Sequence, residues 1–351
     1  MKTYGFGIVG LGMISEFHAK AIGELDNGRV AACFSRSGEK AREFGEKHNC
    51  TGYNSLTALL GDADVDVLTI CTPSSVHADT AIAAAEAGKH VICEKPIDID
   101  LRRIDAMVTA HEKAGTTLCG IFPFRFNDVT QVIKQAMDRH RFGRLTFGGA
   151  YVPWWRDQSY YDEGGWKGTI RYDGGGALMN QSIHGIDSLI WLMGDVASVC
   201  AYTETLAHTN IEVEDTAVAA LRFKNGALGL ILGTTSIYPG EFRRLEICGN
   251  RGTAVCVEED LVTWRFADET DEDATIREKY ASMTETGGGA SDPAAISHEG
   301  HRRNFAECLA AIETGAPPPI DGPEARRAVE VILAIYRSAE EGRPVALPLE
   351  G

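Results

Sequence analysis

The sequence predicts an α/β chain in two parts: a doubly wound parallel sheet, then an α+β domain with a large, open, mostly antiparallel sheet. Three observations carry this. An apolar strand over 4–9 runs into Gly10-Leu-Gly12 and at once into helical sequence. From there to residue 121, short apolar strands alternate with helical stretches of roughly 10–15 residues, which is the pattern of βαβ crossovers. Between 196 and 266 strand follows strand with only turns between, which implies antiparallel pairing. Domains are therefore expected at 1–121 and 122–351.

Taken in order, the first helix spans 13–25, with Phe17, Ala21 and Leu25 at helical spacing. A strand over 29–34 follows and gives way to Ser35-Arg36-Ser37, with Ser37 as the N-cap of a helix over 38–48. The strand over 65–71 ends at Thr72-Pro73-Ser74-Ser75, and an alanine-rich helix over 76–87 is closed by Gly88. A strand over 90–93, a helix over 101–114 and a strand over 116–121 complete the first domain.

In the second, 128–141 is helical and 144–153 is a strand. A loop dense in aromatic and glycine residues follows, with Trp154, Trp155, Arg156, Tyr160, Tyr161, Trp166 and Lys167, and then Asp173-Gly-Gly-Gly176. A helix is expected over 177–193. Strands are expected over 196–206, 213–223, 227–236, 242–249 and 252–266, the last broken near Glu259. A polar, Gly-rich surface excursion over 268–293 and helices over 297–314 and 323–341 close the chain.

Composition narrows the function. Hydrophobic residues make up 44% and charged residues 24%, as in a soluble globular protein. A net charge of −16 argues against nucleic acid and against an anionic membrane surface. No apolar run approaches the ~20 residues of a membrane span. The chain enters a strand at Tyr4, so no signal peptide is expected. Cys33, Cys71, Cys93 and Cys119 sit in or at the end of apolar strands and no Cys-x-x-Cys pair occurs. They read as buried hydrophobes of a reducing, cytoplasmic compartment, without a metal site.

A strand, a glycine turn and a helix start make a place for a pyrophosphate. Gly10 permits the tight turn, Gly12 lets the backbone approach, and Met13 and Ile14 offer the first free N–H groups. Ser15 stands at the third small position of the fingerprint. Glu94-Lys95-Pro96 follows directly on a strand, where the carboxyl ends of a doubly wound sheet line the ligand crevice. A salt-bridged surface lysine is the plain alternative to a lysine that orients a reacting hydroxyl. In the second domain, Asn180, His184 and Asp187 are spaced four and three apart, so a regular helix would put them on one polar face. That face is either solvated or the wall of a cleft, and the neighbouring glycines and aromatics favour the cleft.

With these residues in view, the chain resembles the Gfo/Idh/MocA family of NAD(P)-dependent sugar and cyclitol oxidoreductases over essentially its full length. The matching pieces are Gly10-Leu-Gly12, Thr72-Pro73 followed by His77, the stretch from Ala87 through Glu94-Lys95-Pro96, and Ile183-His184-x-x-Asp187. The resemblance implies that Lys95 and His184 are a catalytic pair, that Thr72, Pro73, His77 and Glu94 lie along the cofactor, and that the open second sheet supports a homodimer or homotetramer. Many polyol dehydrogenases of the family carry an aspartate one turn before the histidine, where this chain has Asn180. Asparagine orients a hydroxyl but takes no proton, so base catalysis would rest on His184 and Lys95. The run from Asp173 to His184 is also similar to members acting on nucleotide sugars or glycosides.

NAD enzymes of this fold place an acid at the end of the second strand for the ribose hydroxyls; Ser35-Arg36 stands there instead. Serine removes the repulsion toward a 2′-phosphate and Arg36 supplies a fork for it, which favours NADP over NAD. In the aromatic loop, Trp155 offers an apolar face for a sugar ring, and Lys167 a cation for a hydroxyl, carboxylate or phosphate. The expected function is hydride transfer between a carbohydrate-like secondary alcohol and a nicotinamide, with Lys95, His184 and Asn180 at the reacting centre. Two rivals are redox-assisted elimination or epimerisation with a tightly held cofactor, and a nucleotide-sensing protein without turnover; a proton relay argues against the second.

Overall fold

The alternating segments form a parallel sheet. In the computed structural model, β1 (Tyr4–Val9), β2 (Gly28–Phe34), β3 (Thr51–Tyr53), β4 (Val67–Ile70), β5 (His90–Cys93) and β6 (Leu118–Gly120) lie in the order 3-2-1-4-5-6, with every neighbouring pair parallel. Helices α1 (Met13–Gly23), α2 (Gly38–His48), α3 (Leu56–Leu60), α4 (His77–Glu86) and α5 (Leu101–Ala114) make the connections. β1 and β4 are buried along their whole length, so they read as unbroken apolar runs. The strand order reverses between β1 and β4, which places the crevice at their carboxyl ends. β3 and α3 carry no sequence expectation, being too short for a periodic pattern.

The described residues are 2–163, 165–281, 290 and 298–349. They fall into two units, Met1–Pro123 with His298–Arg326, and Phe124–Ser297 with Arg327–Gly351. A single boundary near residue 121 leaves out one exchange, because the segment from His298 to Arg326 belongs with the first unit. The cause is packing: Phe305, Cys308 and Leu309 are buried in the same core as Phe6, Ile8 and Ile22.

The second unit contains α6 (Asp128–Asp138), β7 (Leu145–Pro153), α7 (Gln158–Asp162), α8 (Ile170–Asp173) and α9 (Ile183–Met193), then β8 (Val196–Glu204), β9 (Thr216–Phe223), β10 (Leu228–Thr234), β11 (Arg244–Gly249), β12 (Gly252–Val257) and β13 (Asp260–Phe266). Four further elements are α10 (Asp271–Lys279), α11 (Glu299–Thr314), which belongs to the first unit, α12 (Gly322–Glu341) and β14 (Val345–Ala346). The sheet order is 13-12-11-7-10-9-8-14, antiparallel throughout except for the pair β7–β10. β9 shows why one face is open: Ala217, Ala219, Leu221 and Phe223 are buried, while Val218, Ala220 and Arg222 between them are exposed. α9 packs on β7 and β11.

The break expected near Glu259 is the turn at Glu258, which takes a positive φ of 51°. The excursion expected over 268–293 begins with a helix, α10, started by a capping box between Thr270 and Asp273. Residues 282–289 and 291–293 of that excursion lie outside the described residues. Among the described residues no helix is long and apolar enough to cross a membrane. Cys33, Cys71, Cys93 and Cys119 are buried free thiols.

Candidate active site

The predicted residues fall into two sets, one in each unit. In the first, Gly10 has φ +93°, and a Cβ there would lie 2.9 Å from the Cys71 carbonyl carbon. A side chain is therefore excluded on conformation and on space. Gly12 is the N-cap of α1 and brings no side-chain cap, and a Cβ on it would meet nothing within 4 Å among the described residues. The helix start keeps its N–H groups available, with Met13 57% exposed and Ile14 turned onto the core. Thr72 Oγ1 is buried with no hydrogen-bond partner among the described residues. An uncapped helix start, an open glycine and an unsatisfied buried hydroxyl fit a dinucleotide pyrophosphate. Ser35 Oγ accepts the Ser37 N–H at 3.2 Å, and Arg36 is exposed with no ion pair among the described residues. Pro73 leads a 3-10 turn, Ser74–Val76, into α4.

Glu94 and Lys95 follow β5. Glu94 is 5% exposed and its carboxylate is fully engaged. Oε1 accepts from His18 Nε2 at 2.8 Å and faces His301 Nε2 at 3.5 Å, and Oε2 accepts the Lys95 N–H at 3.1 Å. Burial alone would raise the Glu94 pKa, but the bonds from His18 and His301 overcome it and hold the carboxyl well below its ordinary range. His18 is completely buried and its pKa is drawn down by desolvation, against the pull of Glu94. Its Nδ1 meets Thr69 Oγ1 at 2.8 Å.

His18, Glu94 and His301 are a set that could hold a metal ion. Tetrahedral bonds of about 2.0 Å would separate the ligand atoms by about 3.3 Å. The 2.8 Å between His18 and Glu94 is a hydrogen-bond length instead. The arrangement is a carboxylate anchor for the lysine turn. Neither histidine was found from sequence, because α1, β5 and α11 meet only in the fold. His77, expected along the cofactor, is 1% exposed, and both of its ring nitrogens face backbone carbonyls.

In the second unit the helix expected over 177–193 is not regular. Leu178–Ser182 is a π-turn, and α9 begins only at Ile183. The π-turn takes Asn180 out of regular register with α9, which carries His184 and, three residues on, Asp187. Asp187 is fully buried and held by Arg125, with Nε to Oδ2 at 2.7 Å and a second bond at 2.6 Å to Oδ1. His184 is half-buried, its ring 4.8 Å from that of Phe124, over which the Arg243 guanidinium lies at 3.8 Å.

Asn180 Nδ2 donates to Asp173 Oδ1 at 3.1 Å. A carboxylate thus stands beside Asn180 after all, supplied seven residues earlier by an aspartate that is itself buried and also accepts the Gly168 N–H. The π-turn is held by Glu214, whose carboxylate accepts from Gly176 N, Leu178 N and Tyr336 Oη at 2.8, 2.8 and 3.0 Å. Burial pushes the Glu214 carboxyl up to about 7 against those donors. A Cβ at Gly176 would lie 1.7 Å from the Glu214 carbonyl oxygen, so the third glycine of the triplet is obligatory.

Lys167 lies 3.6 Å over the Tyr160 ring and donates to the Tyr160 carbonyl at 3.3 Å. Burial lowers its pKa, and Asp173 opposes the shift. Trp155 is half-buried, bridged to Ser236, with its ring edge-on to Tyr238 and tilted against His208. The second unit thus brings Lys167, Asp173 and Asn180 into one network, and a run of ring contacts from Trp155 through His208 and Tyr161 reaches Tyr160, over which Lys167 lies.

Comparison with known proteins bears on the family and the fold. Residues 4–121 match the model of an oxidoreductase family's NAD-binding Rossmann fold, and residues 134–347 match its C-terminal alpha/beta domain. The chain is 29% identical to myo-inositol 2-dehydrogenase of Thermotoga maritima, covering 97% of this chain and 98% of that protein. It is similar to the crystal structure of the WlbA dehydrogenase from Bordetella pertussis in complex with NADH and UDP-GlcNAcA, with 34% identity, a TM-score of 0.90 and 99% of each chain covered. A levoglucosan dehydrogenase complex with NADH and L-sorbose, at 22% identity and TM-score 0.87 over 100% of each chain, shares the fold. With both halves of the family model matched along nearly the whole chain, the protein belongs to the Gfo/Idh/MocA oxidoreductase family.

Proposed function

We propose that the protein oxidises a secondary alcohol of a sugar, sugar derivative or cyclitol with a nicotinamide cofactor, and reduces the ketone in reverse. The observation that carries this is Lys95 on a turn whose neighbouring carboxylate is anchored by His18 and His301, at the carboxyl end of a parallel strand. When bound, the nicotinamide accepts the hydride from the alcohol carbon. Gly10, Gly12, Met13, Ile14, Thr72 and Pro73 hold its dinucleotide. The Lys95 ammonium fixes and polarises the hydroxyl oxygen, and His184 takes the hydroxyl proton, leaving a ketone. Asn180, oriented by Asp173, sets the angle of the substrate ring.

Within that class a nucleotide-linked sugar bearing a carboxylate is the preferred substrate. Lys167 supports this with a half-buried cation, and the WlbA relative was solved with UDP-GlcNAcA. NADP is the preferred cofactor because Arg36 is exposed beside Ser35, although that relative was solved with NADH. The open sheet face, with Tyr202 80% and Val218 43% exposed, is proposed to be covered by a second copy, giving a dimer or tetramer working in the cytoplasm.

A panel of cyclitols, sugars and nucleotide sugars, assayed by nicotinamide absorbance with NAD and NADP in parallel, tests these points. Turnover of a carboxylated nucleotide sugar is expected, and absence of turnover with the entire panel would refute the dehydrogenase reading. Tighter NAD than NADP binding would overturn the cofactor preference, and a monomer in sedimentation at micromolar concentration the assembly.

A further inference from the structure

The Lys95 turn is held from two directions. Glu94 is anchored by His18 and His301, and Pro96 is anchored by His77. His77 opens α4 and is 1% exposed. Its Nδ1 lies 2.9 Å from the Pro96 carbonyl oxygen, and its Nε2 lies 2.8 Å from the Thr72 carbonyl oxygen. A carbonyl oxygen only accepts, and a neutral imidazole has one N–H and one bare lone pair. A lone pair facing a carbonyl at that distance is repulsive, so two bonds of this length require a hydrogen on each nitrogen.

The surroundings oppose and support that state. Desolvation is the largest influence and draws the pKa of the ring below its ordinary 6.5, while the two carbonyls and the Asp98 and Glu94 carboxylates pull the other way, so it is the paired carbonyl geometry that argues for the charged ring. Asp98, which is fully buried, accepts from the Ala78, Ile99 and Asp100 N–H groups and from Arg103 Nε, and Arg103 also pairs with Asp79. The anionic charge facing His77 is therefore held in place by the start of α4 and by α5.

We infer that His77 is a buried imidazolium that ties the Pro96 carbonyl to the Thr72 carbonyl and so fixes the position of Lys95. His77 is a positioning residue, and its role rests on the proposed assignment of Lys95 to the reacting hydroxyl. Its ring has no nitrogen left for a cofactor atom. Losing one N–H would release one end of the tie, letting the lysine turn move relative to the Thr72 loop. A displacement of about 1 Å at a reacting group costs up to ~100-fold in rate.

Two measurements test this on the full chain saturated with NADP. In nitrogen-15 spectra at pH 7.5, with the His77 signals identified by their loss in H77Q, both ring nitrogens are expected to carry hydrogen. A neutral single-tautomer ring would overturn the imidazolium. In steady-state assays H77Q, which donates from one nitrogen only, should lose about tenfold in kcat and H77L about 100-fold. KM and cofactor Kd should change less than about threefold in both. If both variants keep kcat within twofold of wild type, the positioning role is overturned, and if H77L does not fold, H77Q alone decides. A fully active K95A would refute the assignment of Lys95 while leaving the nitrogen spectra as the separate test of the charged ring.

Discussion

Replacing Glu94 by glutamine tests the anchor beneath the lysine turn. The wild-type carboxylate accepts from His18 Nε2 and the Lys95 N–H, with His301 Nε2 at 3.5 Å, in a site that is 5% exposed. Glutamine keeps one oxygen but puts an NH₂ where a second acceptor is needed, so a donor would face a donor. Removing one side of a buried charged set costs about 3–5 kcal/mol, and the surviving acceptor offsets part of it, leaving about 2–3 kcal/mol. For a unit of this size that is a fall of roughly 5–10 °C in melting temperature.

Calorimetry on apo and cofactor-saturated protein measures the fall, and kcat should drop together with it because Lys95 loses its neighbour's hold. The pH dependence gives an internal check. The folded Glu94 pKa lies below the ordinary value of 4.5, so its contribution is complete above about 4.5 and is lost as pH falls through the folded value. The melting curves of wild type and E94Q should therefore converge in acid. An E94Q protein that melts within 1 °C of wild type at pH 7 would refute the anchor.

Three further outcomes are expected. Glu214 is the opposite case: its carboxyl is raised from 4.5 to about 7, so it stabilises the fold below 4.5 and that contribution, about 3 kcal/mol, fades as pH rises through 7. E214Q should flatten the stability profile between those values, measured by melting temperature against pH. R125M strands a fully buried Asp187 and should cost about 3–5 kcal/mol in urea unfolding, most of it recovered in the double variant R125M/D187L. N180D would set a second carboxylate about 3.1 Å from Asp173, so kcat should fall about tenfold at pH 7, with recovery in D173N/N180D.

The strand, glycine turn and helix from Tyr4 onward were legible because each residue constrains its neighbours locally: an unbroken apolar run, a tight turn, an open helix start. So was the long run of strands, since each one carries its own apolar face. The lysine turn could be picked out from Glu94-Lys95-Pro96, but its anchors could not. His18 and Glu94 are 76 positions apart, and His301 comes from a helix that follows the second sheet. No period or spacing connects them. The π-turn was hidden for another reason. Regular spacing placed Asn180 on one face with His184 and Asp187, whereas the five residues Leu178–Ser182, Asn180 among them, are held wide by Glu214, which lies well downstream of the triplet. An aspartate within the apolar run of α9 was the available sign that Asp187 needed a buried cation, here Arg125.

The exchange of α11 into the first unit has a consequence for synthesis. Phe305 meets Phe6 at 5.8 Å and His18 at 5.1 Å between ring centres, so the apolar side of β1 and α1 lacks its cover until residue 314 has emerged. By then the chain has added every strand of the second sheet but β14. At about 5–20 residues per second the nascent first unit waits some ~10–40 s with that surface bare. A ribosome stalled within the second sheet would thus release a fragment with a sticky, unfinished nucleotide-binding half, the kind of species that chaperones hold and proteases clear.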